Sequence, residues 1–142
     1  MNIIRIAPVC NGKIYVVPHE VSLSENSLLD IPMQETVHSA PSPNGKAALK
    51  LKERYRSHIH TTEQPRFSVK YRLKSSGQET LYLYILPLRR EEDIHFSQGR
   101  FITPEEIQEE NHAYTPYLQE ESELLGMAAE LWQDFYADTD GI

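Results

Sequence analysis

Residues 66–86 read RFSVKYRLKSSGQETLYLYIL. In the first nine positions apolar and polar residues alternate, the period-two pattern of a half-buried strand. Phe67, Val69, Tyr71 and Leu73 point one way; Arg66, Ser68, Lys70, Arg72 and Lys74 point the other. Ser75-Ser76-Gly77-Gln78 is turn chemistry. Residues 80–86, TLYLYIL, are apolar on both faces, so they read as a central strand that Pro87 ends. The two segments are expected to pair as an antiparallel hairpin.

Outward from this hairpin the elements alternate in kind. Residues 2–10 and 13–18 read as two strands joined by Asn11-Gly12, a strong two-residue hairpin turn. Polar loop residues 22–27 precede a short apolar segment at 28–32, read as another short strand. Residues 34–45, with Pro41, Pro43 and Asn44-Gly45, are expected to be loop. A helix is expected over 46–57, with Ala48, Leu51, Tyr55 and Ile59 at core-facing spacing. Lys46, Lys50 and Arg54 form an i, i+4 row on another face. Beyond the hairpin, residues 91–101 hold a short strand pair or extended segment around 94–96. Thr103-Pro104-Glu105-Glu106 signals a helix start, and the helix is expected over 104–110. Thr115-Pro116 begins the last helix. Leu124, Ala128, Leu131 and Phe135 form its expected core stripe, with Leu125, Trp132 and Tyr136 beside it, while Glu120, Glu121, Glu123 and Glu130 face water. Strands, a helix, strands and then helices make an α+β fold with a mixed β-sheet.

At 142 residues the chain has the size of one domain. That domain is expected over 1–136, with 137–142 a frayed tail. No run reaches the roughly 18–20 apolar residues of a membrane helix. Arg5 breaks the apolar start, and no small-residue cleavage site follows, so no signal peptide is expected. Cys10 is the only cysteine, which excludes an internal disulfide and a multi-cysteine zinc site and suits a reduced, cytoplasmic setting. Cys10 itself reads as a small buried hydrophobe. The formal net charge of −7 hides a split: residues 1–90 carry 13 Lys+Arg and 7 Asp+Glu, and residues 91–142 carry 1 and 14.

The order of these landmarks resembles a Nudix domain. Asn11-Gly12-Lys13-Ile14-Tyr15-Val16-Val17 stands where the family has its opening "gkiLLv" run. Leu29-Asp30-Ile31-Pro32 stands at its "lPGG" segment, with Met33-Gln34 in place of the two glycines. Ala47-Ala48 matches the Ala-Ala pair of the box helix, and residues 100–107, RFITPEEI, match a later "W-v-x-x-eEl" segment. The resemblance implies a Nudix-like α/β/α sandwich with a mixed β-sheet. In the family, glutamates in an Arg-Glu-x-x-Glu-Glu pattern on the box helix bind a divalent metal, because residues three and four apart aim carboxylates at one cation. Setting Ala47-Ala48 on the family's pair puts Leu51, Arg54 and Tyr55 where the glutamates belong. Shifting the frame to read Lys52-Glu53 as Arg-Glu recovers only Glu53, with Arg56 and Ser57 at the other positions. Lysines and arginines there repel a metal, so neither a metal site nor a cofactor is expected, and the catalytic residues do not carry over.

Candidate sites remain. Residues 46–74 hold 9 basic and 2 acidic residues. Lys50, Arg54, Lys70 and Arg72 are the candidates for a small phosphorylated or anionic ligand, set against a solvated face or one neutralised by the acidic C-terminal third. The overall negative charge disfavours nucleic acid. Tyr71, Tyr82 and Tyr84 are candidates for an aromatic cleft, set against plain core packing. His58-x-His60, with His38 or His95, lacks a full ligand signature and reads as a helix end. The acids at 91–93 and 105–110 read as a solvated loop and a helix start. The expected function is a ligand-binding or protein-interaction module without pyrophosphohydrolase activity. The alternatives are a Nudix-type hydrolase of a nucleoside-diphosphate-linked substrate using displaced ligands such as Glu53 and the 91–93 acids, and a homodimer formed between basic and acidic faces.

Overall fold

Asn11 and Gly12 both take left-handed backbone angles, φ 52° and 74°. This is the turn that folds one strand tightly back on the next, Cys10 opposite Lys13. A computed structural model describes residues 1–19, 28–74 and 78–140, with side chains described through residue 133. The loop expected at 22–27 and turn positions 75–77 lie outside the described residues, as do the side chains of Phe135 and Tyr136. The elements are β1 (Asn2–Cys10), β2 (Lys13–His19), β3 (Leu28–Asp30), β4 (Met33–Val37), α1 (Lys46–Glu53), β5 (Arg66–Arg72), β6 (Thr80–Pro87), β7 (Arg100–Ile102), α2 (Pro104–Glu109) and α3 (Pro116–Asp140). Short 3-10 turns span Glu91–Asp93 and Asn111–Ala113.

β1 is the axis of a mixed sheet. β6 runs parallel to it from Asn2–Thr80 to Val9–Pro87. On the other side β1 pairs antiparallel with β4 in its first half and with β2 at its end. β5 closes the β6 side as an edge strand, and β3 and β7 extend β2. β6 is buried along its whole length, as its two-sided apolar pattern demands. One sheet face, with Ile4, Ile6, Met33, Tyr82, Tyr84 and Leu86, packs on Ala48 and Leu51 of α1. The other, with Ala7, Val9, Ile14, Leu83 and Ile85, packs on Ile107 of α2 and Leu118, Leu125 and Ala129 of α3. The result is a three-layer α/β/α sandwich.

Several expectations are corrected. The expected loop at 34–45 begins as strand β4, because its polar side chains have tertiary partners: Gln34 meets Arg5, and Glu35 meets Arg54. The helix expected over 46–57 ends at Glu53. Backbone bonds then tighten to i→i−3 (Arg54 to Leu51, Tyr55 to Lys52, Arg56 to Glu53), and the turn drops Ile59 into the core opposite Ile94. The extended stretch around 94–96 forms only that isolated bridge, and the strand in this region is β7. In β5 a bulge between Phe67 and Val69 breaks strict alternation. Phe67 therefore shares a face with Tyr84, whereas Val69 and Tyr71 share the opposite face with Leu83 and Leu81. In α3 the buried line is Leu118–Glu121–Leu125–Ala129, so Leu131 is 66% exposed and Glu121, expected in water, is buried. α2 has Thr103 as N-cap, its hydroxyl accepting from the Glu106 amide, and Thr115 caps α3 by accepting from Leu118. α3 continues to Asp140.

Candidate binding face

α1 begins after Gly45, whose φ of 73° is left-handed, and Asn44 Oδ1 accepts the Lys46 amide at 3.1 Å. With Ala48 and Leu51 turned into the core, Lys46 and Lys50 are left exposed. Arg54, just beyond the helix, donates to Glu35 Oε1 at 2.6 Å on the surface. Lys52 turns away: its ammonium donates to the carbonyls of Thr61 at 2.9 Å and Glu63 at 2.6 Å, tying down the loop before β5. Partial burial lowers its pKa.

The strand half of the expected anion site lies on the same side of the sheet. Lys70 stands opposite Tyr82 and Arg72 opposite Thr80, so both cations share the face that α1 covers elsewhere. The Lys70 ammonium lies 5.8 Å from the Tyr82 ring centroid. Lys50, Arg54, Lys70 and Arg72 are thus exposed cations on one side of the molecule, with Arg54 already engaged by Glu35.

The expected aromatic cleft of Tyr71, Tyr82 and Tyr84 does not form. Tyr82 and Tyr84 are buried at 8% and 3% exposure on the α1 side, while Tyr71 lies on the α3 side. Phe67, 55% exposed, packs edge-on against Tyr84 at 5.5 Å, so the open ring there is one the sequence reading placed on the other face.

A divalent metal does not fit on α1. Of the positions where the resemblance calls for carboxylates, Leu51 is buried, Arg54 is a cation and Tyr55 is half-buried against the core. Glu53 is the lone acid. Among the described residues, no three His, Cys, Asp or Glu side chains are grouped so as to hold a metal ion. His58 instead stacks on Phe96, with 4.3 Å between ring centroids, and its Nδ1 lies 3.0 Å from the His95 carbonyl. Cys10 is buried. Desolvation pushes its thiol up to about 12, with help from Glu91, Asp93 and Glu92.

A charged cluster that no expectation from the sequence included lies on the other face. Arg5 is fully buried in β1. Its Nη1 and Nη2 donate to both Asp30 oxygens at 3.0 and 2.8 Å. Its Nε and Nη2 donate to both Glu121 oxygens at 2.8 and 2.7 Å. Nη1 also reaches Gln34 Oε1 at 2.9 Å. The Tyr71 hydroxyl donates to Glu121 Oε2 at 2.7 Å, and the Ile31 amide to Asp30 at 2.8 Å. The Tyr117 ring lies 4.9 Å from the guanidinium. Burial opposes the Arg5 charge, but Glu121 and Asp30 outweigh it and hold its pKa above the usual value. Tyr71 is held neutral, its pKa raised by burial and by Glu121. Each donor nitrogen of Arg5 is engaged, so the cluster is a pin joining β1, β3, β4, β5 and α3 rather than an open site. The available signal was Arg5 itself: a cation inside an apolar strand needs buried acids to meet it.

Neither a protein-family model nor a curated protein matches the sequence. Solved structures do match its fold. DR0079 from Deinococcus radiodurans shares 15% identity over 87% of this chain and 82% of its own, with a TM-score of 0.59. A NUDIX hydrolase from Nitrosomonas europaea shares 11% identity over 89% and 88%, with a TM-score of 0.54. The fold is Nudix-like. A third such likeness is to the structure of the C-terminal domain of mouse MUTYH in complex with human PCNA, at 14% identity, 91% and 88% coverage and a TM-score of 0.59. Identities this low establish the fold of this Nudix-like chain and leave its chemistry to its own residues.

Proposed function

We propose that this Nudix-like chain, with residues 1–136 as its single domain, is a binding module that does not carry out metal-dependent pyrophosphate hydrolysis. The observation that supports the reading is the segment 46–55: α1 carries one carboxylate, Glu53, among Lys46, Lys50 and Lys52, and Arg54 and Tyr55 follow it, where the resemblance would call for metal-binding glutamates. The face that would draw in a cation instead draws in an anion, and Lys50, Arg54, Lys70 and Arg72 are the residues we assign to a small phosphorylated ligand. A protein-binding role is supported by the similar domain of mouse MUTYH, which was solved in complex with PCNA.

Magnesium tests the reading. Thermal unfolding in added magnesium or manganese should not shift, and a panel of nucleoside-diphosphate-linked compounds should not turn over. A metal-dependent stabilisation together with turnover would establish the hydrolase reading in its place. Pyrophosphate should stabilise the protein, less so in Lys50→Glu and Lys70→Glu.

A further inference from the structure

β5 is an edge strand, and no backbone hydrogen bond among the described residues joins its outer side to another segment. α3 runs beside it in the opposite direction: Tyr71 meets Glu121, Val69 packs in the same cluster as Leu124, and the Arg66 guanidinium lies 5.0 Å from the Trp132 ring. Between strand and helix lies a groove of about 380 Å³ lined by Val69, Tyr71, Leu124 and the rim residues Arg72, Lys74 and Glu120. The groove is preformed, because the Tyr71–Glu121 bond at its floor is fixed by buried Arg5.

We infer that this edge takes up an extended segment of a partner protein in which acidic and apolar residues alternate. The two sides of β5 differ in the way such a segment requires. A strand added to the edge sends successive side chains to opposite faces. On the α3 side they meet Val69, Tyr71 and Leu124. On the α1 side they meet the exposed cation Lys70, while Arg72, also exposed, reaches the rim of the groove. Apolar residues suit the first side and carboxylates the second, and the bulge before Val69 confines regular pairing to the stretch beyond it. This inference goes beyond the binding-module reading: Lys70 and Arg72 are common to both, and Lys50 belongs to the phosphate site alone.

The test uses the intact chain and a fluorescein-labelled peptide of about ten alternating Glu and Val residues. A peptide of the same composition in two blocks, Glu then Val, is the control. Saturable binding of the alternating peptide is expected, with amide exchange slowed at 69–72. Arg72→Glu, at an exposed position, and Leu124→Gln, in the groove, should each weaken it by about tenfold, while Lys50→Glu leaves it unchanged and weakens only pyrophosphate binding. Four outcomes would overturn the inference: no saturation by about 1 mM peptide, equal binding of the block peptide, loss of binding in Lys50→Glu, or a concentration-dependent dimer that occupies the β5 edge instead.

Discussion

Replacing Arg5 with alanine would leave the Asp30 and Glu121 carboxylates facing each other in the core without a cation. Breaking a buried ion cluster in this way costs about 3–5 kcal/mol, to be read from the urea midpoint. Arg5→Met combined with Asp30→Asn and Glu121→Gln should recover much of that loss, because no unpaired charge remains. Removing the Glu35–Arg54 pair, exposed at 30% and 63%, should change stability by less than about 1 kcal/mol. Tyr117 supplies a pH signature. Its hydroxyl donates to Glu79 at 2.7 Å, and burial followed by that bond raises its pKa from 10 to about 12. The folded state thus holds this proton more tightly than the unfolded chain does. Its contribution is complete below pH 10 and is lost between pH 10 and about 12. Urea midpoints across that range should fall less in Tyr117→Phe. Cys10, pushed up to about 12, should resist alkylation at neutral pH until the protein unfolds.

Elements with strong local signals are where sequence and structure agree. The Asn11-Gly12 turn, the two-sided apolar run of β6 and the Thr-Pro starts of α2 and α3 each rest on chemistry confined to a few neighbouring residues. Gly12→Ala would force a side chain onto a backbone at φ 74°, and a loss of about 1 kcal/mol in unfolding free energy is expected. Leu125, fully buried on α3, should cost about 2–5 kcal/mol when cut to alanine, whereas exposed Leu131→Ala should cost little. β4 and the rotation of α3 were not legible. MQETV is too polar to announce a strand, and Glu121 sits in a polar run whose neighbours Glu120 and Glu123 do face water. In both cases the deciding partner, Arg5, is remote in sequence. The β5 bulge was hidden for a related reason: strict alternation in RFSVKYRLK predicts one face, and only the pairing with β6 moves Phe67 to the other.

For the whole molecule, the net charge of −7 conceals two faces, cations on the α1 side and exposed Glu105, Glu106, Glu123 and Glu130 on α2 and α3. If copies associate through these faces, sizing at low salt should show a dimer that dissociates as salt rises, since exposed charges are screened beyond roughly 10 Å at 0.1 M. A size that ignores salt would set that association aside. No helix among the described residues is long and apolar enough to cross a membrane. Lys50 on α1 and Lys70 and Arg72 on β5 point as helix and strand periodicity direct, while Arg54 lies past the end of α1 against Glu35. The aromatic cleft failed because Tyr71 and Tyr82 sit on adjacent strands with their side chains on opposite faces, a matter of register. What the sequence determined by itself was the strands β1, β2, β5 and β6, the starts of α2 and α3 and the α+β layering, since local periodicity and residue identity decide these. Only the tertiary structure decided where Arg5 finds its acids, which flank of α3 meets the sheet and what the open edge of β5 presents, because each depends on groups far apart in the chain being brought within hydrogen-bonding distance.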